Sequence, residues 1–248
     1  MTGQAYHIHG ETRPSRWLVT CDHASNHVPD WVAGGDLGIA PADMARHIAW
    51  DVGAAGVAAA LAERLDAPCI LSDFSRLVID PNRGEDDPTL VMKLYDGTII
   101  PANRPIDDAG VAERLNRLHR PYHAALARLA ARRDDTVILA IHSFTPCLRG
   151  RLPRPWQVGV LYAPQDIRLS LPLLRHLQAE PDLCIGENQP YNGHLPGDSI
   201  YRHALQPGRQ HTMIEVRNDL IGDAAGQVQW ADRLVPHLAA ALVDAESG

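Results

Sequence analysis

The chain of 248 residues is 45% hydrophobic and 21% charged, which is enough to bury one sizeable core, and we therefore expect a single domain over residues 1–248. Its formal net charge of −7, without any basic block, argues against a nucleic-acid-binding surface. The sequence has no signal-peptide-like segment and no run of about 18 apolar residues, which predicts a cytoplasmic protein that does not enter a membrane. The four cysteines are scattered without a Cys-x-x-Cys pair, which argues against a cysteine-bound structural zinc or a redox motif.

Apolar runs of strand length alternate with helical patterns along the chain. Strands are predicted at residues 17–21, 68–71, 77–79, 136–141, 158–163 and 212–216, and helices at 41–65, 107–133, 167–179 and 224–245. This alternation predicts an α/β fold with a mostly parallel sheet that helices cover on both faces. The carboxyl ends of neighbouring parallel strands form one crevice, so polar residues that follow different strands can converge there.

Two histidines stand where predicted strands leave the core. His23 follows the strand at residues 17–21, and His142 follows the strand at 136–141. Imidazole is a favoured zinc ligand, so two histidines at two strand ends indicate a metal site more strongly than either does alone. A buried histidine that hydrogen-bonds to the backbone would give the same local pattern.

Asp51 is a further candidate for this site. It lies four residues after His47, and the two would share one face of the predicted helix at 41–65. They form either a surface pair or a pair that points into the crevice. The small residues around Asp51 in Trp-Asp-Val-Gly (50–53) favour a site role.

Asn82 and Arg83 follow the short predicted strand at 77–79 in a turn-forming sequence. A planar guanidinium grips a carboxylate with two parallel hydrogen bonds, so this pair suits an anionic substrate. Arg76 is a second candidate anion contact. An ordinary solvent-exposed turn is the alternative interpretation.

Glu215 and Arg217 share one face of the last predicted strand, because side chains in a strand alternate with a period of two. A structural ion pair explains this pattern as well. Charged groups are costly to bury unless they line a polar cavity, and we therefore favour a site. A carboxylate in such a site can act as a general base.

Other common catalytic patterns are missing from the sequence. It contains no Gly-x-Ser-x-Gly elbow, no phosphate-binding Walker loop and no His-Glu-x-x-His helix. The glycines before residue 57 do not form a dinucleotide-binding fingerprint. Other chemistries are therefore less well supported than a metal-dependent hydrolase, which is the interpretation that the candidate residues favour.

Several short motifs together resemble the N-formylglutamate amidohydrolase family. The matching pieces span most of the chain in the family's order: Cys-Asp-His-Ala-Ser-Asn-His-Val-Pro (21–29), Trp-Asp-Val-Gly (50–53), Ser-Arg-Leu-Val-Ile-Asp-Pro-Asn-Arg (75–83), His-Ser (142–143), Asn-Gln-Pro-Tyr (188–191) and Ile-Glu-Val-Arg-Asn-Asp-Leu (214–220). The resemblance implies a three-layer α/β sandwich with a mixed, mostly parallel sheet, of the phosphorylase/hydrolase-like kind found in zinc-dependent exopeptidases and aspartoacylases.

The resemblance also implies roles for individual residues. His23 and His142 match zinc ligands, Glu215 matches the general base, and Asn82, Arg83 and Tyr191 match substrate contacts. Relatives of the carboxypeptidase kind have His-x-x-Glu at the first ligand pair, whereas this chain has Asn26 in the place of the glutamate. The third ligand is therefore Asp51, Asn26 or a water molecule.

The function that these expectations imply is zinc-dependent hydrolysis of the amide bond in an N-acyl amino acid, most simply N-formyl-L-glutamate to formate and glutamate. The partner is then a small anionic substrate. Arg83 would hold its α-carboxylate, and Arg76 or Arg217 would meet a second carboxylate. The alternatives are a hydrolase of another N-acyl amino acid or small peptide, and a non-catalytic relative that binds a metabolite.

Overall fold

The structure, a computed structural model, describes residues 4–247. Its centre is a seven-stranded sheet. The described residues form nine strands, seven in this sheet and two in a separate hairpin: β1 (Tyr6–His9), β2 (Trp17–Cys21), β3 (Cys69–Ser72), β4 (Leu94–Tyr95), β5 (Thr98–Ile99), β6 (Val137–Phe144), β7 (Val158–Leu161), β8 (Ile185–Glu187) and β9 (His211–Arg217). The sheet order is β1-β3-β2-β6-β9-β7-β8, whereas β4 and β5 form a separate small hairpin.

The middle of the sheet is parallel, and its edges are mixed. Strands β3, β2, β6 and β9 run parallel to one another, β1 is antiparallel to β3, and β7 is antiparallel to β9. All eight residues of β6 are buried, as expected for a central strand that is covered on both faces. The predicted α/β class with a mixed, mostly parallel sheet is confirmed.

Helices cover both faces of the sheet. Their bounds are α1 (Pro41–Met44), α2 (Ala54–Arg64), α3 (Asp108–Arg114), α4 (Arg120–Ala130), α5 (Ser170–Gln178) and α6 (Ala224–Ser247), and π-helical turns occupy Leu115–His119 and Tyr201–Leu205. Helices α2, α5 and α6 pack on one face, where Leu139 and Ile141 of β6 point. Helix α4 packs on the other face, against Ile138 and Ala140. No helix within residues 4–247 combines the length and the apolar character needed to cross a membrane.

The predicted helix at 41–65 is wrong, because the chain leaves the helix after Met44 and resumes it only at Ala54. The interruption contains Gly53, whose φ of +81° favours glycine. A Cβ atom at this position would lie 2.1 Å from the carbonyl oxygen of Ile221. The close approach of the Ile221 carbonyl therefore leaves no room for a side chain at the last residue before α2, which the alanine-rich sequence does not indicate.

The predicted strand at 77–79 is also wrong, because Leu77 and Val78 lie in a turn and Ile79 belongs to no strand. The backbone N–H of Val78 donates to the carbonyl oxygen of Ser75 at 2.9 Å, and the N–H of Leu77 donates to the Ser75 hydroxyl at 3.2 Å. All three residues of the segment are buried in the core beside α4. Their apolar character reflects the burial of a loop. Strand β1 at the sheet edge was not predicted, since its alternating exposure gives a weak pattern.

Candidate metal centre and active site

His23, Asp51 and His142 converge at one edge of the sheet. Nδ1 of His142 lies 2.9 Å from Oδ2 of Asp51, and Nδ1 of His23 lies 3.3 Å from the same oxygen. The two imidazole centroids are 5.1 Å apart. One ligand atom from each of the three residues lies within 4.8 Å of the others, and all three side chains are buried.

The backbone explains why these residues meet. His23 follows β2, and His142 lies in the adjacent parallel strand β6, so both stand at the same edge of the sheet. Asp51 reaches them from the turn before α2, where its N–H donates to the carbonyl oxygen of His23 at 2.9 Å. The N–H of Ser143 donates to the Asp51 carboxylate at 3.3 Å. The turn that interrupts the predicted helix thus delivers Asp51 to the two histidines.

Carboxylates stand behind both imidazoles. Nε2 of His23 lies 2.7 Å from Oδ1 of Asp80, and Nε2 of His142 lies 3.7 Å from Oδ2 of Asp22. The Tyr122 hydroxyl donates to the other oxygen of Asp22 at 2.5 Å. A carboxylate on the far nitrogen fixes the orientation of a metal-binding histidine and makes it a stronger ligand. His23 has this support from Asp80, whereas Asp22 is too far from His142 for a hydrogen bond. Two imidazole nitrogens and one carboxylate oxygen fit a divalent ion such as zinc.

The electrostatics of the cluster favour a charged carboxylate between the histidines. Burial opposes the charged form of Asp51, but the adjacent His23 and His142 outweigh it and lower the pKa of Asp51. Burial likewise opposes the charged form of His142, yet the hydrogen bond to Asp51 raises the pKa of His142 to about 9. Nε2 of His142 and Oδ2 of Asp22 are buried and have no hydrogen-bond partner within residues 4–247.

Glu215 lies beside this cluster on the next strand. It is the register partner of His142 in the pairing of β6 with β9, and it is only 5% exposed. Burial raises the pKa of its carboxyl to about 7. Its Oε2 has no hydrogen-bond partner among the described residues. A carboxyl with these properties can take up a proton near neutral pH.

A cavity of about 140 Å³ opens in front of the three clustered residues and Glu215. Its wall also includes His47, Arg76, Asn82, Arg83, Tyr95, Tyr191, Asn192 and Asp198. Asn82, Arg83 and Tyr191 were predicted as substrate contacts, and all three lie on this wall. Arg83 is held by hydrogen bonds from Nε to the Thr89 hydroxyl at 3.1 Å and from Nη1 to the Asn82 carbonyl oxygen at 2.7 Å.

Two predicted anion contacts are in positions that do not suit that role. Arg217 does not line the cavity, and its guanidinium donates to Asp219 at 2.8 Å at the end of β9. Arg76 reaches the cavity wall, but its guanidinium bonds to Asp80 at 2.8 and 3.1 Å and approaches Asp51 at 3.4 Å. Both arginines therefore neutralise neighbouring carboxylates.

Asn26 also lies apart from the cluster, since its amide donates to the carbonyl oxygen of Met44 at 2.9 Å. Of the two protein side chains considered for the third ligand, only Asp51 lies beside His23 and His142. Asp80 was missed as a partner of His23, although a lone carboxylate directly after the apolar residues 77–79 was a usable signal. Tyr122 gave no such signal, because its spacing is that of a helix core residue.

Three further histidines support the loop that carries Asp80, Asn82 and Arg83. Nε2 of His119 lies 3.0 Å from the carbonyl oxygen of Arg83, and Nε2 of His123 lies 2.9 Å from that of Pro81. Nδ1 of His123 in turn lies 2.9 Å from Nε2 of His203. Burial lowers the pKa of all three imidazoles, that of His203 to about 4. They are neutral donors that fix the loop.

The family model of N-formylglutamate amidohydrolase matches residues 15–222. The chain belongs to the N-formylglutamate amidohydrolase family. This membership supports hydrolase activity and a small-molecule substrate. No curated protein matches the chain in sequence.

Solved structures extend the comparison. A gene product of Agrobacterium tumefaciens superposes with a TM-score of 0.92 at 32% identity, over 99% of this chain and 97% of that one. N-formylglutamate amidohydrolase from Ralstonia eutropha JMP134 gives a TM-score of 0.60 at 22% identity, over 98% and 97%. A bacteriophage poly-gamma-glutamate hydrolase gives 0.50 at 10% identity, over 96% and 90%. The last two likenesses, at this low identity, concern the fold alone.

Proposed function

We propose that this family member is a zinc-dependent amidohydrolase that cleaves the amide bond of an N-acyl amino acid, with N-formyl-L-glutamate as the first substrate to consider. The observation that carries the proposal is the cluster of His23, Asp51 and His142 beside Glu215 in one cavity. We also propose that the chain acts as a single domain, since both cores pack on one sheet. A cytoplasmic location is likewise a proposal.

His23, Asp51 and His142 would hold the ion, because imidazole and carboxylate are the ligand types that zinc takes in hydrolases. A bound zinc ion polarises a carbonyl oxygen and lowers the pKa of water toward neutrality. Asp80 would keep the imidazole of His23 in the tautomer that leaves Nδ1 free to bind the ion, because it accepts the hydrogen bond from Nε2. Asp22, at 3.7 Å from Nε2 of His142, would add a negative charge behind the second imidazole without a hydrogen bond. The backbone N–H of Ser143 would hold Asp51 in the same orientation.

Glu215 is the proposed general base. It accepts a proton from the attacking water and passes it to the leaving nitrogen as the amide C–N bond breaks. The pKa of about 7 that burial gives its carboxyl suits both steps, because the group gains and loses the proton with little cost near neutral pH. Its position opposite His142 in the pairing of β6 with β9 supports this role, because it lies beside the proposed metal ligands.

Arg83 is the proposed contact for the α-carboxylate of the substrate. Thr89 and Asn82 fix two of its nitrogens, so the guanidinium is oriented before the substrate arrives. Tyr191 also lines the cavity and is proposed to contact the substrate, and Nη1 of Arg154 donates to its hydroxyl at 3.3 Å. Arg76 and Arg217 have no part in this proposal, because other carboxylates occupy them.

The test combines metal analysis with a deformylation assay on the purified protein. We expect about one tightly bound zinc per chain and release of formate from N-formyl-L-glutamate, both lost in His142→Ala. His27→Ala is the matched control, because this nearby exposed histidine does not line the cavity. Comparison with the N-acetyl substrate defines the acyl group. Deformylation that persists after chelation would refute the proposed metal dependence.

A further inference from the structure

Two loops meet at one side of the cavity through their glycines. A Cβ atom on Gly197 would lie 2.9 Å from the Cα of Gly84, so the two backbones are in direct contact. The N–H of Ser199 also donates to the side-chain oxygen of Asn82 at 3.2 Å. Arg83 and Asp198, the residues next to the two glycines, thus enter the same cavity from adjoining loops.

These two opposite charges do not pair with each other. No nitrogen of Arg83 comes within the 4.0 Å of an Asp198 oxygen that defines an ion pair. One oxygen of Asp198 accepts a hydrogen bond from the N–H of Tyr201 at 2.6 Å. Within residues 4–247, the other oxygen of Asp198 and Nη2 of Arg83 have no hydrogen-bond partner. A donor and an acceptor are therefore both available to a ligand in the cavity.

A capping role alone does not explain Asp198. An aspartate that only caps a helical turn normally stands in solvent, where its charge is hydrated at no cost. Asp198 is 3% exposed, and burial raises the pKa of its carboxyl to about 7. Burial disfavours the charged form of this carboxyl, so a ligand in the cavity that supplies a donor would stabilise it.

We propose that Arg83 and Asp198 form a clamp for the head group of an amino acid, in which Arg83 binds the α-carboxylate and Asp198 accepts a hydrogen bond from the α-nitrogen. This inference rests on the proposed function and adds to it a residue that positions the scissile nitrogen. In an N-acyl amino acid the α-nitrogen carries one N–H group, which donates a hydrogen bond to Asp198. After hydrolysis the nitrogen has gained protons from water and is an ammonium, which pairs with the Asp198 carboxylate.

The clamp predicts a substrate class. The ligand must carry a free carboxylate and an N–H on the same carbon, as any N-acyl α-amino acid does. An ester of the corresponding hydroxy acid has the carboxylate but no N–H, and glutarate has no nitrogen at all. The contribution of Asp198 is therefore confined to ligands with nitrogen at this position.

Two pairs of probes test the clamp in wild type and Asp198→Asn. The asparagine keeps an oxygen for the N–H of Tyr201 and loses the charge and the second acceptor, so the loop is retained. The first pair is N-formyl-L-glutamate and the O-formyl ester of L-2-hydroxyglutarate, compared by kcat/KM. We expect Asp198→Asn to lower kcat/KM for the amide by about 10- to 100-fold and for the ester by less than about 3-fold.

The second pair is L-glutamate and glutarate, compared by calorimetric Kd on the metal-loaded protein. We expect wild type to prefer glutamate and Asp198→Asn to lose that preference. Asp107→Asn is the control, because Asp107 caps the first turn of α3 and does not line the cavity. Equal losses for amide and ester, or no loss for either, would overturn the clamp.

The two proposals fail separately. A wild-type protein that releases no formate would refute the proposed function, while the glutamate and glutarate affinities would still decide the clamp. Conversely, formate release that is equally fast in wild type and Asp198→Asn would leave the amidohydrolase proposal intact and remove Asp198 from substrate binding.

Discussion

Nε2 of His23 lies 2.7 Å from Oδ1 of Asp80, and Arg76 bonds to the other oxygen of the same carboxylate. The pKa of Asp80 lies well below its usual range, because Arg76 and His23 outweigh the opposing effect of burial. Asp80 therefore carries a full negative charge behind the imidazole, which orients the ring and increases its basicity.

Asp80→Asn should weaken zinc binding by about 10- to 100-fold, because the charge behind His23 is lost and Arg76 loses its main partner. The measurement is competition for zinc against a chromophoric chelator. Asp135→Asn serves as a control, since it also removes the partner of an arginine, Arg133, but at the surface. An unchanged zinc affinity in Asp80→Asn would show that this carboxylate does not support the metal.

Glu215→Gln should keep the metal and lower kcat by about 100- to 10,000-fold, the usual contribution of a general base. Glutamine has nearly the same size, so the cavity wall is preserved, but it cannot take up the proton. Zinc content and formate release are measured on the same sample. Asp219→Asn, beyond the end of β9, is the control. A metal-loaded Glu215→Gln enzyme with normal turnover would exclude this residue as the base.

The buried histidines predict a loss of stability in acid. Because burial lowers the pKa of His203 to about 4 from 6.5, the folded protein resists a proton that the unfolded chain accepts. This contribution to stability is complete above pH 6.5 and is lost as the pH falls toward 4. Between pH 7 and 4.5 the free energy of unfolding should fall by about 2 to 3 kcal/mol more in wild type than in His203→Gln. Urea titrations at both pH values measure the difference, and parallel decreases in the two proteins would contradict it.

Gly53→Ala should destabilise the fold by at least about 2 kcal/mol and displace Asp51. The new methyl group would meet the carbonyl oxygen of Ile221, and the left-handed backbone adds strain. Gly34→Ala is a matched control, because Gly34 also has a positive φ of +71° but has no atom within 4 Å of a Cβ. Denaturant unfolding and zinc affinity are the measurements. Equal stability losses in the two variants would mean that only the backbone strain matters.

The sequence predicted those parts of the fold that depend on the local order of apolar and polar residues. Strands β2 and β6 were predicted because burial on both faces leaves a largely apolar run, and His23 and His142 were found because they follow or end such runs. Strand β9 was predicted from its apolar residues Met213, Ile214 and Val216, between which Glu215 stands out. The turn at Gly53 was not found, because the contact that requires glycine there is made by Ile221, a distant part of the chain.

The residues of the site were only partly predictable, because the sequence does not show which side chains meet in the folded protein. Asp51 is 28 residues from His23 and 91 residues from His142, so no spacing rule joins them. Arg76 and Arg217 looked like anion contacts because a sequence displays charges without their partners. Asp80 and Asp219 lie only four and two residues after these arginines, but the turns that bring each carboxylate onto its guanidinium appear only in the folded chain.

His142 and Glu215 are direct partners in the sheet, and this pairing constrains their evolution more than that of the residues on the loops. Their spacing is fixed by the hydrogen-bonded ladder between β6 and β9, which tolerates little change. Arg83 and Asp198 stand on irregular segments outside that ladder, so their side chains can be exchanged without moving either strand. Descendants of one ancestor can thus diverge in the molecules they recognise while they inherit the same reaction centre.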